Sequence, residues 1–351
     1  MTDTVRTKTL HTTRDLLAEG LISADEVEDI EKVEDTFAIA ISPEMLDRIE
    51  KEGPDSPLAR QFVPNAKELN ILPQESADPI GDAEYVPVKG ITHRYPDRLL
   101  LIPIHSCAIY CRFCFRREKV GPGEEYLKKD ELDAALDYIR SKPNLREVIL
   151  TGGDPLVMSP RRIKYIMDEL SALPNLDVIR FHTRVPLVAP DKITRELLDV
   201  LQTDKITCIV LHTNHASEFG DAGREALKKL RMSGFMMMAH SVLLKGVNDN
   251  PDAMTDLLRE CIRNGVKPYY LHHCDLAEGT SHFRTNFDEG QALMRALRGR
   301  VSGLAQTNYV LHIPDGHGKV PIGPSYLERD TEKWAVTDYK GGRHEYPIAP
   351  F

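Results

Sequence analysis

Cys107, Cys111 and Cys114 stand in the stretch CAIYCRFCFRR, a C-x3-C-x2-C spacing followed at once by basic residues. A structural zinc ion takes four closed ligands, usually as two close pairs, and the chain has no second pair. Three thiolates suit a four-iron, four-sulfur cluster, [4Fe-4S], with one iron open to an external ligand. The missing fourth ligand then becomes the reactive position. Further along, TGGDP (151 to 155) has strong turn chemistry of its own.

Near the C-terminus Lys319 sits in PDGHGKVPIGPSY. A phosphate loop would require GxxxxGK[ST], but Val320 fills the Ser/Thr position and Ile313 the first Gly. A lysine that forms a Schiff base needs a mobile carrier, which Gly316 and Gly318 would supply. Arg94 and Arg98, four apart beside Tyr95 in HRYPDR, can clamp a phosphate through charge-assisted bonds. Lysine and clamp together describe a pyridoxal phosphate site.

These groups need a scaffold. From residue 91 onward short β-rich runs (RLLLIPI, EVILTGG, VIRFHTR, TCIVLHTN, FMMMAHSVLL, PYYLHHCD, YVLHIP) alternate with segments of helical spacing. That rhythm predicts parallel βαβ units in an α/β fold, an incomplete (β/α)6-type TIM barrel. Chemistry in such a barrel gathers at the C-terminal strand ends. The runs do end in HSC, TGGDP, HTR, HTNH, HCD and HIPDGHGK. We expect three regions: an N-terminal helical region over 1–90, the partial barrel over 91–313, and a C-terminal lysine arm over 314–351. Before the barrel, SADEVEDIEKVEDTF reads as a helix capped by Ser23, and SPEMLDRIEKEG as one opening on Ser42 and Pro43 and closing on Gly53.

The 351 residues carry a formal charge of −9 and no run of like charge, which sets nucleic acid and anionic membranes aside as partners. Neither a signal peptide nor a membrane-length apolar run is evident, so a cytoplasmic protein is expected. Cys208, Cys261 and Cys274 are scattered singly, unlike a disulfide framework. Cys208 and Cys261 read as packed core thiols, and Met236 to Met238 as barrel lining. In HHCD (272 to 275), strand alternation predicts His272 and Cys274 on one face and His273 and Asp275 on the other.

At its cysteines the chain resembles the radical S-adenosylmethionine superfamily, in which the open iron binds S-adenosylmethionine and reduces it to a 5′-deoxyadenosyl radical. The resemblance implies that Phe113 meets adenine and that Gly152, Gly153 and Asp154 pair with the amino group of S-adenosylmethionine. From about residue 40 onward, THRYPDR, GGDPL, SVLLKGVND, PYYLHHCDL and GKVPIGPSY resemble the lysine 2,3-aminomutase family in order and spacing. By that resemblance Lys319 carries pyridoxal 5′-phosphate, Arg94, Tyr95 and Arg98 hold its phosphate, and Arg116 takes the substrate carboxylate. The implied reaction moves an α-amino group to the β-carbon after β-hydrogen abstraction, with S-adenosylmethionine regenerated. A small amino acid substrate and a reductant such as flavodoxin or ferredoxin follow from it.

The chain departs from the lysine-specific pattern, where two aspartates grip the distal ammonium. Asp275 occupies the first position and His312 the second. Lysine remains the leading substrate, with Asp315 as a substitute carboxylate or a neutral His312 accepting a bond. The alternatives are another amino acid, the lysine of elongation factor P, whose modifying branch is similar at CRFCFRR, or a non-catalytic iron–sulfur protein. No cysteine follows Cys274, and Asn250 stands at the matching partner position, so zinc-bridged tetramers are not expected and a homodimer is left open.

Overall fold

A computed structural model describes residues 8–121, 126–329 and 333–347; the first residues of the chain start read above, and parts of the C-terminal arm, lie outside them. Four helices come first: α1 (Thr13–Ala18), α2 (Val27–Thr36), α3 (Pro43–Glu52) and α4 (Pro57–Phe62). Helix α3 starts and ends as the sequence predicts, with Ser42 at the N-cap, Pro43 in the first turn and Gly53 at the C-cap at φ 95°. Helix α2 starts later than Ser23, because Ser23 spends its backbone N–H and hydroxyl on the Glu26 carboxylate and Glu26 takes the cap position.

The barrel opens on a hairpin that the sequence reading passed over, β1 (Ile91–Tyr95) and β2 (Arg98–Ile104). They are antiparallel, with Tyr95 opposite Arg98, so Pro96 and Asp97 alone form the turn. Then follow α5 (Lys129–Arg140), β3 (Glu147–Gly152), α6 (Pro160–Ser171), β4 (Val178–Thr183), α7 (Val185–Val188), α8 (Arg195–Val200), β5 (Ile206–His212), α9 (Asp221–Met232), β6 (Met236–Leu243), α10 (Pro251–Arg263), β7 (Lys267–His273), α11 (Phe287–Leu297), β8 (Asn308–Ile313) and β9 (Gly318–Pro321). Strands β2 to β8 pair in chain order and in parallel, so six strand–helix units lead into a seventh parallel strand. Strand β9 turns back antiparallel on β8, placing Lys319 in the same sheet as the barrel. A separate antiparallel sheet holds β10 (Leu327–Arg329), β11 (Lys333–Thr337) and β12 (Arg343–Pro347).

The outer layer forms because each long helix carries an apolar stripe. In α5, α6, α9, α10 and α11 the buried residues recur at i, i+3, i+4 and i+7, as in Ile163, Ile166, Met167 and Leu170. Cys261 belongs to the α10 stripe, the core thiol expected. Asn250 caps α10, its side chain accepting from the Ala253 N–H at 2.9 Å. Along the strands alternate residues face helices and interior. Met237 packs in the core, while Met236 and Met238 line the interior cavity. Cys208 is a buried core thiol, as expected, and also borders that cavity.

The cysteine loop is fastened to the N-terminal region by buried charge. Arg112 makes bonds of 2.7 to 3.1 Å to the Glu68 carboxylate, and Arg117 binds the same carboxylate. Burial works against the Glu68 charge, yet Arg112 and Arg117 hold its pKa below the ordinary value. Backbone bonds from Tyr110 to Ala40 and from Arg112 to Gln61 complete the clamp.

Candidate active site

Two adjoining cavities fill the barrel interior. The smaller, about 140 Å³, is lined by Cys107, Cys111 and Cys114 on the β2–α5 connection, with Phe113, Gly152, Gly153, Asp154 and Arg184. Burial pushes all three thiols up, Cys111 to about 12, so they are neutral until a positive centre favours the thiolates. Three half-buried cysteines facing an open volume fit a cluster with one uncovered iron. The glycines serve close approach of β2 and β3: a side chain at Gly152 would collide with Ile102 and the Ile104 carbonyl, and one at Gly153 with the Ser106 carbonyl. Asp154 is turned to the chain, accepting from the Thr183 hydroxyl at 2.7 and 2.9 Å and from the N–H groups of Leu156, Arg184 and Val185. It fastens the ends of β3 and β4 together. Phe113 packs edge-on against Phe283, its centroid 5.9 Å away, with Arg184 5.6 Å from its ring.

The larger cavity, about 670 Å³, brings together Arg94, Tyr95, Arg98, Arg116, His312 and Lys319. Lys319 is opposite His312 across the β8–β9 ladder, so both project to one face. Its Nζ lies 5.5 Å from the Tyr270 ring centroid, and the residue is exposed where it lines the cavity. Burial lowers its pKa to about 8 against the opposing pull of Asp275, and Arg180, Arg116 and Arg98 lower it further. Gly316 and Gly318 are not loose hinges, which corrects the expectation of a mobile carrier. Both have positive φ, 78° and 89°, and a side chain there would meet Tyr85 or the Tyr95 hydroxyl. They let the lysine strand sit tightly on β1 and the 80–85 loop.

Asp82 is the residue that the sequence reading missed. It lies in the Pro-rich stretch before the barrel, where no periodicity draws attention to it. One oxygen accepts from Arg94 at 3.1 Å and the other from Arg116 at 2.7 Å. Arg116 also donates to Thr151 at 3.3 Å and lies over the Phe115 ring. Arg94 donates to the carbonyls of Ile80 and Gly81 as well, while its Nε is buried without a partner among the described residues. Arg98 covers the Tyr95 ring at 3.9 Å and pairs with Asp97. Arg180, also unforeseen, pairs with Glu147 at 3.0 Å. The cations Arg94, Arg98, Arg116, Arg180 and Lys319 thus face the carboxylates of Asp82, Asp97 and Glu147, a shortage of negative charge that a phosphate dianion would fill.

Asp275 and His312 meet at 3.2 Å. Burial outweighs the pull of Asp275 and keeps the His312 pKa below its ordinary value, which favours the neutral imidazole at neutral pH. Asp275 shares the smaller cavity with His272, contrary to strand alternation, because β7 ends at His273 and the chain turns. His273 points the other way, to the Tyr309 hydroxyl at 2.7 Å. Asp315 is exposed at the β8–β9 turn with φ 57°, away from both cavities.

A family description, the radical SAM superfamily, matches residues 101–258. The L-lysine 2,3-aminomutase of Methanococcus maripaludis is 40% identical over 324 residues, 91% of this chain and 75% of that protein. The chain belongs to the lysine 2,3-aminomutase family of radical SAM enzymes. The L-lysine 2,3-aminomutase of Acetoanaerobium sticklandii is 36% identical over 321 residues, covering 91% and 78%. A glutamate 2,3-aminomutase of Clostridioides difficile is also 36% identical, over 306 residues covering 87% and 72%. Membership brings the [4Fe-4S] cluster and S-adenosylmethionine as cofactors, which the cysteine cavity fits. Among the described residues no helix is long and apolar enough to cross a membrane.

Asp82→Asn tests the two-arginine bridge. Losing one charged acceptor shared by two guanidiniums is expected to lower kcat/KM by about tenfold to a hundredfold, chiefly through KM, with iron content unchanged. Steady-state kinetics beside iron analysis would read both quantities.

Proposed function

We propose that this chain is a pyridoxal phosphate-dependent 2,3-aminomutase acting on free L-lysine to form β-lysine, in the cytoplasm and with flavodoxin or ferredoxin as reductant. The observation that carries the reading is the opposition of Lys319 and His312 across one ladder, with Asp275 against His312 and the Asp82-held Arg116 in the same cavity. When bound, the cluster and S-adenosylmethionine supply a hydrogen-abstracting carbon radical, and pyridoxal phosphate supplies a π system that can carry the migrating nitrogen.

The chain's own groups do the placing. Arg116 takes the α-carboxylate, steadied by Asp82 and Thr151. Asp275 draws the distal ammonium to the far side, so the substrate is stretched and its β-carbon held toward the cysteine cavity. Arg94, Tyr95 and Arg98 stand where a phosphate binds, with Arg98 less committed to backbone than Arg94. Lys319, with its lowered pKa, offers the amine that bonds the aldehyde and takes up a proton when displaced. His182, His212, His240 and Met238, which line the same cavity, help to keep water from these charges. In lysine-specific relatives a second carboxylate would be expected opposite Asp275, and neutral His312 leaves a weaker grip. The chain retains Asp275, which disfavours glutamate.

His312→Asp is the test. A second carboxylate is expected to raise kcat/KM for lysine about tenfold to a hundredfold, from a charge-assisted bond of about 1.5 to 3 kcal/mol. Anaerobic turnover of wild type and variant would be followed by NMR and mass spectrometry over lysine, ornithine, arginine, glutamine and glutamate. A fall for lysine, with another amino acid the better wild-type substrate, would show the lysine assignment to be wrong.

A further inference from the structure

The buried charges that fasten the cysteine loop do not balance. On the side of the loop that faces the N-terminal region lies a third cavity, about 50 Å³, lined by Cys107, Cys111 and Cys114 together with Phe37, Arg112 and Arg117. Among the described residues the two guanidiniums share a single carboxylate, that of wholly buried Glu68. Their other bonds go to neutral carbonyls: Arg112 to Ala38 at 2.8 Å, and Arg117 to Arg112 at 3.0 Å and to Glu278 and Gly279 at 3.3 Å. Arg117 Nε is buried with no hydrogen-bond partner among the described residues, and its guanidinium lies 3.5 Å from the Phe37 ring centroid. A guanidinium stays protonated even where burial lowers its pKa, as at Arg117. One positive charge is therefore left over behind the three thiols. Its neighbours do not cancel it, because burial holds His282 neutral with a pKa of about 4, and Glu118 is exposed and screened by water.

We propose that this surplus charge, carried by Arg112 and Arg117 against Glu68, raises the reduction potential of the [4Fe-4S] cluster, so that the N-terminal region tunes the enzyme's uptake of electrons. On reduction the cluster takes one electron from a low-potential donor and gains one negative charge, with no bond made or broken. A fixed positive charge out of reach of water favours that reduced state. Arg112 and Arg117 are only 2% and 7% exposed, so little screening intervenes. Glu68, which limits the surplus to one charge, comes from before the barrel and outside the residues 101–258 that match the superfamily. The inference rests on the cluster that family membership brings, and a substrate other than lysine would leave it intact.

The test uses the full chain, its cluster reconstituted anaerobically and S-adenosylmethionine absent, with the reduced cluster followed by electron paramagnetic resonance as the potential is stepped in the presence of mediators. Arg117→Gln leaves Arg112 and Glu68 as a balanced pair, and we expect about tenfold less reduced cluster at a fixed potential, a fall of about 59 mV for one electron. Arg117→Lys keeps the charge and should stay at the wild-type potential, while Glu68→Gln removes the anion and should move the potential upward. Opposite shifts from two variants of one ion cluster are not what loosened packing produces. Iron and sulfide analysis confirms loading; if Glu68→Gln does not load, Arg117→Gln against Arg117→Lys decides. A wild-type potential in loaded Arg117→Gln, equal shifts in Arg117→Gln and Arg117→Lys, or a downward shift in loaded Glu68→Gln would overturn the proposal.

Discussion

Lys319→Ala is expected to erase the borohydride-trapped pyridoxal phosphate adduct and to lower turnover on the order of 10³-fold or more, while iron and sulfide stay at the wild-type level. The separation follows from the two cavities: Lys319 lines the larger one and the three cysteines the smaller. The lysine's environment adds a pH signature. With its pKa lowered to about 8 by burial, roughly one lysine in ten is unprotonated at pH 7, against roughly one in several thousand for an ordinary lysine. Uptake of pyridoxal phosphate by the apo chain should therefore speed up about tenfold per pH unit below 8 and level off above it. A rate still climbing at pH 10 would mean that an ordinary surface lysine reacts instead. Peptide mapping of the reduced adduct identifies the residue directly.

Cys111→Ala is expected to abolish cluster loading and, with it, all cleavage of S-adenosylmethionine. Three thiolates are the smallest protein set that holds four irons with one left open, so no spare ligand exists to replace one. Burial has raised the Cys111 thiol to about 12 and raises the thiols of Cys107 and Cys114 as well, so the two that remain favour the neutral form without the cluster's charge. Cys208→Ala removes a buried thiol that borders the larger cavity and not the cysteine cavity, and should leave iron content at wild-type level, which controls for a general loss of folding. Iron and sulfide analysis with electron paramagnetic resonance of the reduced protein distinguishes these outcomes.

What the sequence revealed depended on whether chemistry was written in local spacing. The cysteine triplet, the GGDP turn and the Gly-flanked lysine are contiguous motifs, and the helix stripes repeat at regular spacing, so all were legible. Asp82 was not, because its work is to bridge Arg94 and Arg116, and only the folded loop brings the three together. His182 and His212 were visible at the polar strand ends HTR and HTNH, yet their contact needs the register of β4 and β5. Alternation placed Asp275 beside His273 and failed there because it holds only while the strand lasts, and β7 stops at His273. Gly316 and Gly318 were read for mobility, whereas close approach to Tyr85 and Tyr95 is what requires them. The β1–β2 hairpin was overlooked because two residues of turn between polar strand ends leave little apolar pattern to detect.

The central claim is that a radical formed at the cysteine cavity removes the β-hydrogen of an amino acid held between Arg116, Lys319 and Asp275. Lysine deuterated at the β-carbon, turned over anaerobically with reductant and S-adenosylmethionine, tests it most directly. The account predicts deuterium at the 5′-carbon of re-isolated S-adenosylmethionine and at the α-carbon of β-lysine, with little lost to water. Label washing into solvent, or β-lysine formed with S-adenosylmethionine free of deuterium, would contradict it.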